Sequence, residues 1–188
     1  MYTRSTAVQT LLWAFWGGTF GAVLPNSKRL RSAYITLVRS ILEYAASIWD
    51  PHLAKDCDLL EKLQRRSARF VTGDYRTTSS VSQMLHDLGW CDLKDRRRDL
   101  RLALLYKIVT RHVAINPDQI GLVAADNMTR TNHRYKFKAT GASSSGLRYS
   151  FAVRTVSDWN QLPAVVIEQE NPAVFKAQLA RSAPVRMP

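Results

Sequence analysis

The sequence predicts a mainly α-helical protein, a bundle of four or five helices with an irregular or short β-hairpin basic segment near the C-terminus. The first observation is that apolar residues recur at i, i+3, i+4 and i+7 through three long stretches before residue 115, which is the helical period. The second is that this period disappears between Asn116 and Ser150, where GASSSG interrupts the chain. The 188 residues, 46% of them apolar, are enough to bury a core. The expected segments are an apolar N-terminal segment (1–24), a helical domain (25–115), a basic arm (116–150), closing short helices (151–182) and a frayed tail (183–188).

Two long helices are predicted at the start of the helical domain. The first begins at Asn26 or Ser27 and runs to about Trp49 with one wide apolar face, and Asp50-Pro51 ends it because proline cannot continue the helical ladder. The second runs from about Leu53 to Thr72 and stops at Gly73. Its apolar side is expected to contain Leu59, Leu60, Leu63, Ser67 and Phe70. Since the connection is short, the two helices are expected to pack as an antiparallel hairpin.

The second helix also carries a basic face beside its apolar face. Helical spacing brings five cations together there, namely Lys55, Lys62, Arg65, Arg66 and Arg69. With Glu61 expected as the one nearby acid, their mutual repulsion stays largely uncompensated unless an anion binds. The alternative is an ordinary solvent-exposed face that binds nothing.

Further helices are predicted before residue 115. Ser79 or Ser80 is expected to cap a short helix from Val81 to Leu88, and Asp92 to cap a long one from about Leu93 to His112. The C-terminal half of the long helix is apolar nearly all round, which predicts a central place in the core. Its N-terminal half is a basic rim that contains Lys94, Arg96, Arg97, Arg98 and Arg101, with Asp95 and Asp99 among them.

The basic arm mixes cations with flat rings. The cations are Arg130, Arg134, Lys136, Lys138, Arg148 and Arg154, and they alternate with His133, Tyr135, Phe137, Tyr149 and Phe151. Cations for phosphates and rings for bases are what single-stranded nucleic acid requires of a protein. The alternative is an exposed hairpin whose aromatic side chains turn into the core.

Two short helices are predicted to close the chain, from Val153 to Gln161 and from Pro172 to Ala180, the latter capped by Asn171. In RTVSDWNQLP (154–163), helical spacing puts Trp159 on the inward face, so we expect it in the core. Arg154 is a candidate for a phosphate contact or for pairing with Asp158 at i, i+4. The motif is therefore expected to fasten the basic arm, residues 127–150, to the helical body.

Charge and cysteine content indicate a class of partner and a compartment. The chain has 27 Lys plus Arg against 15 Asp plus Glu, a net charge of +12, which favours RNA or DNA as a partner. Cys57 and Cys91 form no CxxC or zinc-ligand pattern, which favours reduced thiols and an intracellular protein. The stretch LLWAFWGGTFGAVL (11–24) is too short to span a bilayer. It leaves three alternatives: a packed helix, a wrongly joined segment, or a signal segment that would make this a secreted or anchored basic protein.

No pattern for catalysis is found. Asp56 and Asp58 are the nearest candidates for metal-binding carboxylates, but at i, i+2 on a helix they point about 160° apart and cannot share one ion. Glycine-rich phosphate loops and nucleophile motifs are missing from the sequence. We therefore expect no enzyme activity, no cofactor, no metal and no small-molecule substrate, and oligomeric state stays open.

Several motifs carry a resemblance to a known family. In order they are LVRSILEYAASIWDP, LEKLQRRSARFVTGDYR, a DLGW turn, an arginine-rich helix ending in LLYKIV, and RTVSDWNQLP followed by PAVFKAQLA. Over about residues 28–180 the chain resembles the C-terminal part of reverse transcriptases from jockey-like, non-LTR (LINE-type) retrotransposons of animals. The resemblance implies a thumb and tail, helical elements that grip template and primer, with residues 25–115 thumb-like.

The resemblance also implies what this chain does not carry. The YxDD-type palm motif and an upstream endonuclease domain are not in the sequence, so the expectation is a non-catalytic remnant of an RNA-directed DNA polymerase. The apolar segment 1–24 departs from the family, whose members usually have a basic helix there. A helical interaction module with no nucleic-acid role is the alternative.

Overall fold

A computed structural model describes residues 27–125, 135–138 and 148–182. The predicted mainly helical fold is confirmed for these residues. They divide into two compact units: residues 27–46 and 51–94 form the first, and residues 47–50 with the described residues from 95 onward form the second. Segment 1–24 and the tail 183–188 lie outside the described residues, as does most of the basic arm.

The first unit contains three helical regions. A chain of short elements comprises α1 (Ser27–Ala33), a π-helix (Tyr34–Arg39), α2 (Ser40–Glu43) and the start of α3 (Ala46–Trp49), and it is followed by α4 (Ala54–Thr72) and α5 (Val81–Asp87). Their core is formed by Leu30, Tyr34, Val38, Leu42, Ala68, Val71, Met84, Leu85, Trp90 and Leu93. The predicted contact between the first helix and α4 is confirmed, because Tyr34 packs in this core and its hydroxyl donates to Gln64 Oε1 at 3.4 Å.

The single helix predicted from Ser27 to Trp49 is wrong in its continuity. A π-helix occupies its middle, and the helix breaks after Glu43, where Tyr44 is extended and Ala45 has a left-handed φ of 51°. Neither glycine nor proline occurs at this break, so the local sequence does not predict it. Buried residues in this stretch recur every fourth position, at Leu30, Tyr34, Val38, Leu42 and Ala46. Such spacing drifts about 40° per step on a regular α-helix, and the wider π-helical turn offsets that drift.

Helix α4 and the turn after α5 form as their sequences predict. Gly73 ends α4 in the left-handed conformation (φ 68°), and Ser80 caps α5 by accepting the N–H of Gln83 at 3.3 Å. After α5, Gly89 (φ 64°) allows the N–H of Trp90 to reach the carbonyl of Leu85 at 2.8 Å, which is a Schellman ending. The DLGW turn thereby places the Trp90 ring 4.2 Å from the Tyr34 ring, stacked in the core.

The second unit contains most of α6 (Leu93–Val109), a 3₁₀ turn (Pro117–Ile120), α7 (Phe151–Trp159), α8 (Ala164–Ile167) and α9 (Pro172–Ser182). Helix α6 stops at Val109 and not at the predicted His112, because Arg111 takes a left-handed φ of 59° and the N–H of His112 returns to the Lys107 carbonyl at 2.8 Å. Asn171 caps α9 as predicted, accepting the N–H of Ala173 at 2.8 Å. The core of the unit combines residues from α6, α7, α8 and α9, including Leu105, Tyr106, Trp159, Ile167 and Phe175.

The motif RTVSDWNQLP holds residues 135–138 of the basic arm. Trp159 is fully buried, and its Nε1 donates to the carbonyl of Tyr135 at 2.7 Å. Asn160 holds Phe137 from both sides, accepting its N–H at 3.2 Å and donating to its carbonyl at 2.8 Å. The predicted roles of Trp159 and of the motif as a fastener are confirmed for these residues. The predicted β-hairpin is not supported, since the described part of this segment shows one antiparallel bridge, Ala124 with Phe137.

Candidate nucleic-acid interface

The basic face of α4 points away from the core of the first unit. The buried residues of the helix are Gln64, Ser67, Ala68 and Val71. At 100° per residue, the five cations occupy an arc of about 100° whose centre lies roughly 160° from those buried residues. Lys55, Lys62, Arg65 and Arg66 are exposed, and Arg69 is half-buried. This rotation also corrects the predicted apolar side, because Leu59 is exposed while Gln64 is buried in its place.

Two carboxylates decide the charge of this face. Glu61 is turned to the start of α6, where it accepts the N–H groups of Leu93 at 3.3 Å and Lys94 at 2.9 Å and so serves as the cap of that helix. Asp58 is exposed and falls within the cationic arc, so its carboxylate belongs to the basic face. Five cations against this one carboxylate leave a net charge of +4 over roughly 21 Å of helix.

A turn that is held by hydrogen bonds to Asp74 follows the C-terminal end of the basic face. The Asp74 carboxylate accepts the backbone N–H of Arg76 at 3.0 Å, the guanidinium of Arg76 at 3.1 and 2.9 Å, and the hydroxyl of Ser79 at 2.7 Å. The hydrogen bonds from the Arg76 side chain, then those from Ser79 and the Arg76 backbone, hold the pKa of Asp74 well below its usual range. Arg69 of the basic face donates to the Arg76 carbonyl at 3.0 Å, which brings the turn beside the cations.

Tyr75 stands in the middle of this turn with 59% of its surface exposed. Both neighbouring residues are held by the Asp74 hydrogen bonds, so the backbone that presents the ring is constrained. Tyr75 is not among the residues predicted from the sequence. The signal for it in the sequence is GDYR directly after a cationic helix. An Asp side chain often accepts a hydrogen bond from the backbone N–H two residues further on and so fixes a turn.

The other predicted nucleic-acid contacts belong to the second unit. Arg96 and Arg98 on α6 are half-buried, and Arg98 pairs with the neighbouring Asp99 at 3.1 Å. Burial raises the pKa of Asp99 despite that guanidinium. Lys136 is half-buried and Lys138 exposed, whereas the candidates Arg130 and Arg134 lie outside the described residues. Five of the twelve cations predicted to contact nucleic acid therefore lie together on α4. The twelve are Lys55, Lys62, Arg65, Arg66, Arg69, Arg96, Arg97, Arg98, Arg130, Arg134, Lys136 and Lys138.

Arg97 belongs to a buried ionic cluster that sequence analysis did not foresee. Arg97 is 1% exposed, and its Nε donates to Asp50 at 2.8 Å. Asp50 also binds Arg101 and, at 3.0 Å, Arg154, while Asp158 binds Arg101 at 3.0 Å. Arg154, predicted to contact a phosphate or to pair with Asp158, binds Asp50 in this cluster, while Asp158 binds Arg101. Burial lowers the pKa of Arg101, and the nearby Arg154 lowers it further, against the opposing effect of Asp158.

Comparison of the chain with protein-family models, curated proteins and solved structures finds no match. Within the described ranges, no helix is long and apolar enough to cross a lipid bilayer. The same residues contain no group of three or more His, Cys, Asp or Glu side chains placed to hold a metal ion. The fold and site thus define a mainly helical chain with one strongly basic, outward-facing helix.

Proposed function

We propose that this chain is the C-terminal, thumb-and-tail part of a non-LTR retrotransposon reverse transcriptase, acts inside the cell, and binds RNA or DNA through the basic face of α4 without polymerase chemistry of its own. The observation that carries the binding proposal is the net charge of +4 on the outward-facing basic face of α4, where five cations accompany Asp58. Lys55, Lys62 and Arg65 are exposed there, and Glu61 is engaged with the start of α6. Phosphates are the polyanion that such a row of cations binds.

The contacts made by the motif residues support the family part of the proposal. In the first unit, Trp90 of the DLGW turn stacks on Tyr34, just before LVRSILEYAASIWDP. In the second unit, Asp50 of that same motif binds Arg97 of the arginine-rich helix and Arg154 of RTVSDWNQLP. Residues that carry the resemblance are therefore residues that the fold needs together, as is expected of motifs that occur in a fixed order.

The test is binding to a labelled single-stranded RNA of about 20 nucleotides, measured at several salt concentrations. Five phosphate contacts predict a slope of log K against log salt of about −3.5, because each contact on a single strand contributes about −0.7. Removal of two cations in Arg65→Gln/Arg66→Gln is expected to bring the slope to about −2.1.

A matched control keeps the change in net charge equal. Lys176→Gln/Arg181→Gln also removes two exposed cations, from α9 of the second unit. Its slope is expected to equal that of the unaltered chain. A flat salt response, absence of binding near 50 mM salt, or equal slopes for the two double variants would contradict the proposed interface.

A second candidate function is a helical module that binds another protein. The specific observation in its favour is the exposure of Leu37 and Ile41 in the helical stretch of the first unit, and of Tyr44 in the extended residue that follows this stretch. Apolar side chains that a helix leaves exposed are typical of surfaces that contact partners. The salt titration separates the two candidates, since only the nucleic-acid interface requires a steep slope.

A further inference from the structure

We propose that Tyr75 is a base-stacking residue, against which one base of a single-stranded nucleic acid lies while its phosphates follow the basic face of α4. The proposal rests on the proposed function, since it names a contact within the same site. It assigns a specific ligand chemistry, an unpaired nucleobase, to a residue outside the cationic face. RNA and DNA share this chemistry, because every base presents a flat face.

Tyr75 lies next to the C-terminal end of the cationic arc. Gly73 ends α4 in the left-handed conformation, and the chain then turns back so that the Arg76 carbonyl accepts the Arg69 guanidinium at 3.0 Å. Arg69 lies in the cationic arc, so the Arg76 carbonyl, one residue beyond Tyr75, sits at the C-terminal end of that arc. A strand whose phosphates follow Lys55 to Arg69 therefore meets Tyr75 where the basic face ends.

The backbone on both sides of Tyr75 is held in place. An exposed ring on a loose loop loses conformational freedom when a base binds, which reduces affinity. Asp74 removes much of that freedom beforehand, because its carboxylate accepts three hydrogen bonds from Arg76 and one from Ser79. Tyr75 is 59% exposed as a residue and is not part of the core of the unit. Tyr75 thus combines an accessible flat face with a fixed backbone.

Stacking on Tyr75 and phosphate contacts to the cations contribute affinity in different ways. Phosphate contacts give affinity that falls steeply with salt, whereas stacking adds affinity that does not depend on counterion release. A basic helix alone would bind duplex and single strand through phosphates. An exposed ring at its end favours the single strand, whose bases are free to stack on a side chain.

The experiment uses the full chain and single strands that carry the fluorescent base 2-aminopurine at one position, moved along the oligonucleotide in a series. Stacking on a tyrosine ring quenches this fluorophore. We expect one position to be quenched by the unaltered chain and by Tyr75→Phe, but not by Tyr75→Leu. Tyr75→Leu is expected to weaken binding about 5- to 150-fold, the range measured for one stacked base, while the salt slope stays unchanged.

Tyr44→Leu is the matched control, because Tyr44 is 72% exposed and belongs to the first unit but to another part of the chain. It should leave quenching and affinity unchanged. None of these variants removes a core residue, so melting temperatures should stay within a degree or two of each other. Parallel titrations with RNA and DNA of one sequence show which source binds more tightly, and both should depend on Tyr75.

The outcomes separate the two proposals. If Tyr75→Leu binds and quenches like the unaltered chain while Arg65→Gln/Arg66→Gln lowers the salt slope, stacking is overturned and the basic interface stands. Equal losses in Tyr75→Phe and Tyr75→Leu assign the contact to the hydroxyl and overturn stacking as well. A chain that binds no single strand at all overturns both. A Tyr75 effect of the same size on a blunt duplex also contradicts a base contact, because duplex bases are already stacked.

Discussion

Replacing Trp159 with alanine is expected to destabilise the second unit by about 3 to 5 kcal/mol. The ring is fully buried, lies 6.1 Å from the ring of Phe175 and belongs to the main core of that unit. Loss of a buried tryptophan removes its transfer free energy and leaves a cavity that neighbours fill only in part. The indole N–H also donates to the Tyr135 carbonyl at 2.7 Å, a bond worth about 1 kcal/mol.

Trp159→Phe divides this magnitude into its two parts. It keeps a large ring in the core but removes the hydrogen bond to Tyr135, so we expect a loss of about 1 to 2 kcal/mol. Denaturation in urea, followed at several wavelengths, gives the free energy of unfolding of each variant from its midpoint and slope. The slope should stay constant if the variants alter stability alone.

RNA binding supplies the result that would refute this reasoning. Under conditions where each variant is folded, both should bind single-stranded RNA through α4 with an unchanged salt slope, because Trp159 belongs to the other unit. If Trp159→Ala left the free energy of unfolding unchanged and abolished RNA binding alone, the ring would be the ligand platform. The roles assigned to Trp159 and to the basic helix would then have to be reversed.

Two further predictions concern buried polar groups of the second unit. Asp50→Asn is expected to lower the free energy of unfolding by about 3 to 5 kcal/mol, because it leaves buried arginines facing a neutral amide. Adding Arg97→Met should recover part of that loss. A double-mutant cycle measured by urea denaturation tests this. Burial raises the pKa of Tyr106, whose hydroxyl donates to the Gln169 carbonyl. Its contribution to stability is therefore complete below about pH 10, the value for an unfolded chain, and is lost as pH rises through the folded pKa. Tyr106→Phe should flatten the alkaline fall in urea midpoints above pH 10, and an unchanged alkaline slope would contradict this assignment.

Local sequence signals predicted the ends of helices more reliably than their continuity. Gly73 and Asn171 were enough to place the end of α4 and the start of α9, since a left-handed ending and an N-cap are decided within a few residues. The break at Tyr44-Ala45 had no such signal. Its trace is the four-residue spacing of Tyr34, Val38 and Leu42, which fits a π-helical turn better than a regular α-helix.

The candidate interface was only partly predictable for a related reason. Helical spacing identified the cationic face of α4 correctly, because a stretch of 19 residues in one helix fixes which side chains are neighbours. It could not show that Glu61 reaches α6, or that the turn at Tyr75 returns to Arg69. Both are tertiary contacts, and they decide the net charge of the face and the presence of a ring beside it.

Arginine residues of α6 show most clearly where reading a sequence by charge fails. Arg97 and Arg98 are adjacent and chemically identical, yet the first is buried against Asp50 and the second is paired at the surface with Asp99. From the sequence, Asp50 is predicted only to end a helix together with Pro51. Its arginine partners lie 47, 51 and 104 residues further along the chain. No local pattern encodes contacts at such separations.

A buried carboxylate among arginines costs free energy unless every partner is in place, so the cluster favours one arrangement of Asp50, α6 and α7 over others. The basic face of α4 points away from the core of its unit, whereas Arg97 and Arg101 of α6 are buried against Asp50, and only the tertiary structure distinguishes the two groups.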